Sequence, residues 1–293
     1  MGSDDVSSRH QYSSKEAVGA WMKQLERLYE GRESGKFIPA GLGALDEVIF
    51  GWWRGTLNVI GGRPAMGQTG LLLRSALHAA REQDCSTAVV PMVSRLGESG
   101  LRLQEMMTGV RRDRLRRGQM SEQDWEDVID AAKTLSELPM HWLTTPRVTV
   151  EQLAEWCGSL KRQGGLDIVF VECLQKMRAA GNYQSFQEEV AEVVCGLREL
   201  AAEHELAVVA TAQVNRGPEH RRDKRPRPAD LRNSGQIEHL ADLVVLLYRD
   251  EMYYPDKATA GEVEATVWKN RLTEHTGTAK LPYSEWSKGD GKF

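Results

Sequence analysis

The sequence predicts an α/β fold, a mostly parallel central sheet flanked by helices, on three observations. Short apolar runs alternate with segments whose apolar residues recur every three or four positions, the pattern of strand–helix–strand units. A glycine-rich loop, Gly62-Arg63-Pro64-Ala65-Met66-Gly67-Gln68-Thr69, stands between the first such run and the helical stretch behind it. Thr69, Glu172 and Gln213 fall at the loop or just after apolar runs, at the carboxyl ends of strands, where open α/β sheets bind ligands.

Residues 1–12 are rich in Ser and Asp with no apolar period, which predicts a disordered lead through residue 13. Ser13 or Ser14 can cap a helix over residues 14–30, along which Val18, Trp21, Met22, Leu25, Leu28 and Tyr29 form one stripe. That stripe needs a partner, and pattern alone leaves its own domain and a neighbouring subunit equally open. Gly31 breaks the helix and a linker runs to Gly35, so residues 14–35 stand apart from a main domain over 36–293.

Within that domain residues 57–60 read as the first strand, and Trp52 and Trp53 before it belong to a core or an interface. A helix over 71–80 and a strand over 87–93 follow. Helices over 101–107 and 122–135 flank the basic run 111–117, expected to be a solvated or inter-subunit surface. A short strand at 140–143 and a helix over 150–162 come next. Residues 168–171 form an apolar strand ending in Glu172, and residues 185–204 a helix. The strand 207–210 runs into Thr211-Ala212-Gln213, and 243–248 and 265–269 supply the later strands.

Composition narrows the classes. At 293 residues with 41% hydrophobic content the chain can bury one large core. A net charge of −4 means that affinity for nucleic acid must come from local basic patches. Cys85, Cys157, Cys173 and Cys195 lie far apart with no CxxC pair, which reads as thiols in a reducing compartment. The seven histidines form no pair at metal-ligand spacing, and His204 and His239 read as packing or surface residues. No stretch approaches eighteen apolar residues and the start is polar, so neither a membrane span nor a secretory signal is expected, and the expected location is cytoplasmic.

The glycine-rich loop has the spacing of a phosphate-cradling P-loop with one change. Such a loop points successive backbone N–H groups at a phosphate on a helix N-terminus, while a lysine brings a mobile charge to the outer phosphates. Here that lysine is Gln68, which keeps a donor and loses the charge. A neutral amide should impair hydrolysis more than it impairs binding, because charge spreads over the transferring phosphoryl group in the transition state. An apolar strand ending in an acid, as at Glu172, is the arrangement that holds Mg²⁺ against the phosphates. Standing alone any strand can end in an acid. Downstream of a P-loop the pairing points to a nucleotide site for ATP or another NTP, with Thr69 and Glu172 on the metal.

With those residues in place the chain resembles the C-terminal, RecA-like motor domain of DnaB-type replicative DNA helicases, from about residue 14 to 286. The resemblance rests on the P-loop, on Val171-Glu172-Cys173-Leu174-Gln175 and on Ala212-Gln213-Val214-Asn215-Arg216. More specific are Asp223-Lys224-Arg225-Pro226, Asp230-Leu231-Arg232-Asn233-Ser234-Gly235-Gln236-Ile237-Glu238, Ala241-Asp242-Leu243, Tyr248-Arg249-Asp250-Glu251 and Lys269-Asn270-Arg271. The resemblance implies that Gln213 senses the γ-phosphate and that Lys269 and Arg271 act in trans on the adjacent subunit's ATP site. It implies that the segment with Arg232, Asn233 and Gly235 holds single-stranded DNA by its phosphates. The helix from Ser14 would pack on the next subunit in a ring of six. The family's N-terminal primase-binding domain is not expected in this chain.

The departures from the family are equally specific. Gln68 replaces the P-loop lysine and Glu172 replaces the metal-holding aspartate. An ungapped alignment over 68–118 puts Val93 where the family has the glutamate that activates water. Glu98 is the nearest acid, a turn further on, and Lys224, Arg225, Lys269 and Arg271 are the cations available to replace the lost charge. Residues 216–232 carry seven Lys or Arg against three acids, a stretch suited to salt-sensitive backbone contact with single-stranded DNA. The expectation is a nucleotide- and DNA-binding subunit with impaired hydrolysis, forming its own ring or joining an active replicative helicase. Two alternatives stay open: a working helicase with rewired residues, and a protein-interaction module that caps a helicase ring.

Overall fold

A computed structural model of the chain describes residues 13–30, 36–145, 147–232, 234–256 and 261–284. The expected disordered lead up to residue 12, the linker 31–35, Asn233 and the side chain of Leu28 lie outside them. The chain divides into two compact units, residues 1–36 and 37–293.

The first unit contributes helix α1 (Ser14–Tyr29). Its start is closed reciprocally: the Glu16 N–H donates to the Ser13 hydroxyl, and the Ser13 N–H and hydroxyl donate to the Glu16 carboxylate. Val18, Trp21, Met22, Leu25 and Tyr29 of the predicted stripe are exposed.

The second unit opens with β1 (Phe37–Ile38), α2 (Gly43–Ile49) and β2 (Trp52–Trp53), a lead-in that the sequence pattern did not announce. The two short strands pair antiparallel, and the Asp46 carboxylate of α2 accepts the N–H groups of Ala40, Gly41 and Leu42. Trp52 is wholly buried, as expected of a core residue.

The body then runs β3 (Thr56–Gly62), α3 (Gln68–Glu82), β4 (Thr87–Pro91), α4 (Leu96–Thr108), α5 (Arg112–Arg117), α6 (Glu122–Glu137), β5 (Met140–Trp142), α7 (Val150–Gln163), β6 (Ile168–Glu172), α8 (Phe186–His204), β7 (Ala207–Gln213), α9 (Ser234–Leu240), β8 (Leu243–Tyr248), β9 (Glu262–Asn270) and β10 (Gly277–Pro282). The eight-stranded sheet has the order β10-β9-β8-β3-β7-β6-β4-β5. From β8 to β5 neighbouring strands are parallel, and β9 and β10 add an antiparallel edge. This is the predicted mixed, mostly parallel sheet between helical layers.

β3 shows why the apolar runs were legible. Every residue of it is buried, with Ile60 in the core on one face and Leu57 and Val59 in the core on the other. A strand covered on both faces reads as a continuous apolar run. It is central in the sheet, between β7 and β8, so its C-terminal loop opens at the middle of one sheet edge. Among the described residues no helix is long and apolar enough to cross a membrane.

Two segments differ from expectation in ways that shape the site. β4 stops at Pro91 instead of running to residue 93, because the backbone after it turns toward the end of β6. The basic run 111–117 is itself the short helix α5, set off by Gly109 and Gly118 at left-handed φ values of 74° and 64°.

Candidate functional site

The P-loop leaves β3 at Gly62 and enters α3 at Gln68. Ala65 and Gly67 take left-handed φ values of 68° and 103°, a conformation free for glycine and unfavourable for alanine. Ala65 is held there from outside. The Arg249 Nη1 donates to the Ala65 carbonyl at 2.9 Å and the Arg249 N–H donates to the Met66 sulfur at 3.3 Å. The guanidinium lies 3.6 Å from the centre of the Tyr283 ring. Arg63 turns away from the cradle, donating to the Val214 carbonyl at 3.1 Å and to the Glu219 carboxylate at 2.6 and 2.9 Å.

Gln68, at the position that carries a lysine in P-loops, folds back on the loop's own first glycine. A Cβ on Gly62 would meet its Nε2 at 2.8 Å and its Cδ at 2.9 Å. Gly62 is therefore required for this packing.

Glu172 at the end of β6 is 4% exposed and saturated with donors. The hydroxyls of Thr69 and Ser94 each donate to Oε1 at 2.8 Å, and the N–H groups of Val93 and Ser94 donate to Oε2 at 3.2 and 2.7 Å. The segment at the expected catalytic-base position is thus tied to the metal-side acid. Val93 is 57% exposed, and Glu98 on α4 pairs with Arg116. Neither restores a carboxylate in place of the base.

Ala65, Gln68, Thr69, Val93, Glu172 and Gln213 line one cleft of about 190 Å³. Its described lining holds one carboxylate and no cation. Mg²⁺ fits this donor set. A hydroxyl that gives its proton to Glu172 keeps oxygen lone pairs for a hard cation, and Mg²⁺ ordinarily takes only one or two protein carboxylates beside phosphates and water. No cluster of three His, Cys, Asp or Glu able to hold a metal is present among the described residues.

Sequence reasoning missed three residues here. Ser94 has no signal beyond its place after a strand. Arg102 on α4 is a half-buried cation within electrostatic range of Glu172. Burial lowers its pKa foremost and Arg112 adds to this, while Tyr283, Glu172 and Glu105 oppose. Gln175, quoted only as part of a motif, is buried and hydrogen-bonds both the N–H and the carbonyl of Gln213.

Beyond Gln213 the chain returns as the Arg232 segment. The Arg232 N–H donates to the Gln213 carbonyl at 2.9 Å, and its guanidinium lies 6.0 Å from the centre of the Phe186 ring. Gly235 follows in α9. Of the basic stretch, Arg221 pairs with Asp230 and Arg225 with Glu264 and Asp223, whereas Arg216, Arg222, Arg227 and Arg232 are exposed.

Lys269 and Arg271 stand elsewhere. Lys269 is paired with Val244 at the start of β8, while Gly62 is paired with Leu247 near its end. At about 3.3 Å per residue the pair lies about 10 Å or more along the sheet from the loop. Lys269 donates to the Glu238 and His239 carbonyls at 2.8 and 2.9 Å, and Arg271 to the His239 carbonyl and to Asp242 at 3.1 and 3.3 Å. Asp242 also accepts the Leu57 N–H and pairs with Arg198. Burial, then the neighbouring Arg271, lowers the Lys269 pKa. The pair cannot replace the missing charge in its own cleft. Lys224 and Arg225 are also committed, to the Glu219 carbonyl and to Glu264.

The family model for the DnaB-like helicase C terminal domain matches residues 37–288. The replicative DNA helicase DnaB of Leifsonia xyli subsp. xyli is 34% identical over 268 residues, 92% of this chain and 58% of that protein. The replicative DNA helicase DnaC of Bacillus subtilis is 30% identical over 266 residues, 90% of this chain and 58% of that protein. The chain thus spans 58% of the length of these two curated relatives. Among solved structures, an isolated ATPase domain superposes with a TM-score of 0.85 at 26% identity, covering 95% of this chain and 98% of that one. A DnaB-like replicative helicase described with its interactions with primase gives 0.81 at 28% identity, covering 92% of this chain and 68% of that one.

Proposed function

Because this chain belongs to the DnaB-like helicase C-terminal domain family, we propose that it binds a nucleoside triphosphate with Mg²⁺ and single-stranded DNA, within a replication ring, and hydrolyses the nucleotide poorly. The observation that carries this reading is the cleft itself. It keeps the backbone cradle, the Thr69 hydroxyl and an acid 2.8 Å from it, yet no cation lines it and Val93 stands where a base is needed. Thr69 and Glu172 would hold the metal, and Gln213 would face the terminal phosphate.

In this reading Arg232, Asn233 and Gly235 contact the DNA backbone. Lys269 and Arg271, remote from their own loop, serve an adjacent subunit, so the chain completes a neighbour's site without turning over its own nucleotide. The ring is a hexamer of this chain or a mixed assembly with an active helicase. Loss of a general base alone lowers a rate by about 10²–10⁴-fold.

The test is ATP turnover by the chain beside a Gln68→Lys, Val93→Glu double substitution. Turnover only in the double variant supports the reading, and equal turnover in both removes it. A working helicase is the second reading, favoured by Arg102 within electrostatic range of Glu172. Substantial parental turnover that Arg102→Ala abolishes would establish it.

A further inference from the structure

We infer that Gln175 is the positioning residue through which the nucleotide cleft sets the loop that carries Arg232, an inference that rests on the reading above. Gln175 lies three positions beyond Glu172, in the one-turn 3-10 helix Leu174–Lys176. The turn into it is made at Cys173, a non-glycine with a left-handed φ of 63°, whose N–H donates to the Thr211 hydroxyl at 2.6 Å. That reversal directs the Gln175 amide back onto the end of β7.

There the amide is fully employed. Its Oε1 accepts the Gln213 N–H at 3.0 Å, and its Nε2 donates to the Gln213 carbonyl at 3.3 Å and to the Arg232 carbonyl at 3.4 Å. The Arg232 N–H donates to the same Gln213 carbonyl. Gln213 and Arg232 are therefore joined through one side chain that is 5% exposed and follows Glu172 directly in the turn. A buried amide is costly to leave without partners, so displacement of Gln213 by a phosphate must carry Gln175 and the Arg232 backbone with it. No other described side chain donates to the backbone of both Gln213 and Arg232.

The experiment measures linkage with the whole chain. Affinity for a fluorescent oligo-dT is titrated with and without the Mg²⁺ complex of a non-hydrolysable ATP analogue, in the parent and in Gln175→Met. Nucleotide should change the parent's DNA affinity about tenfold, and by less than about twofold in the variant, within the usual range of coupling factors. Each ligand alone should bind the variant much as it binds the parent. Where Gln175→Met fails to fold, Gln175→Glu keeps the acceptor for Gln213, removes the donor to Arg232, and is expected to lose linkage likewise. In the parent, amide exchange at Gln213 and Arg232 should slow together on adding the analogue. Retained linkage in a folded variant, a parent that binds both ligands independently, or protection at Gln213 alone overturns the inference. A parent that binds neither ligand instead removes the proposed function, and the inference falls with it.

Discussion

At the scale of single residues, the site separates binding from bond cleavage. Gln68 packs against Gly62, and Glu172 spends both oxygens on two hydroxyls and two backbone donors. The P-loop spacing, the acid at a strand end and Val93 were all readable along the chain, because each depends on local order and on the resemblance. Ser94, Arg102 and Gln175 were not, because their roles exist only once β4, α4 and β6 are folded side by side. The thiols give a residue-level check. Burial pushes Cys157 up to about 12 and Cys173 up to about 11. The thiolate is the reactive form, so a raised pKa leaves both inert near neutral pH. Iodoacetamide followed by peptide mapping should label half-buried Cys195 first, and Cys157 only after denaturant is added.

At the scale of elements, the strands buried on both faces were visible as apolar runs, whereas α2, α5, α9 and β10 were not. α9 spans only seven residues, Ser234–Leu240, too few for an apolar period to stand out, and α5 is almost wholly arginine. β9 alternates buried and half-buried positions and includes Glu262 and Glu264, so only its later part resembled a strand. The P-loop is an element shaped by another: Arg249 after β8 fixes the Ala65 carbonyl while packing on Tyr283. Arg249→Ala removes a charged donor from a buried acceptor, a loss of about 1.5–3 kcal/mol. Thermal melts should show that destabilisation, and isothermal titration should show weaker nucleotide binding. Ala65→Gly in the same background should recover part of the binding loss, since glycine adopts the left-handed turn unaided.

At the scale of the molecule, net charge is −4, so attraction to a polyanion must be local. Arg216, Arg222, Arg227 and Arg232 are exposed on the stretch beyond β7. If these four each meet one phosphate, the log–log salt slope for single-stranded DNA is roughly −3, at about −0.7 per contact. Filter binding across a salt series checks this, and Arg227→Ala should make the slope shallower by roughly one contact's worth. A flat salt response would exclude backbone-directed binding by this stretch. The family and the parallel sheet were legible over nearly the whole chain, because they rest on many motifs in a fixed order. The placement of Lys269 and Arg271 was not, since it required the register of β9 against β8.

That placement has a further consequence. Both cations already clasp the last carbonyls of α9, the helix that begins just after Arg232. Any outward grasp by them must first undo an inward one, so recruitment of a neighbour competes with the closure of α9. A solitary chain would then hold its strand-gripping segment most firmly when it is least available to a companion.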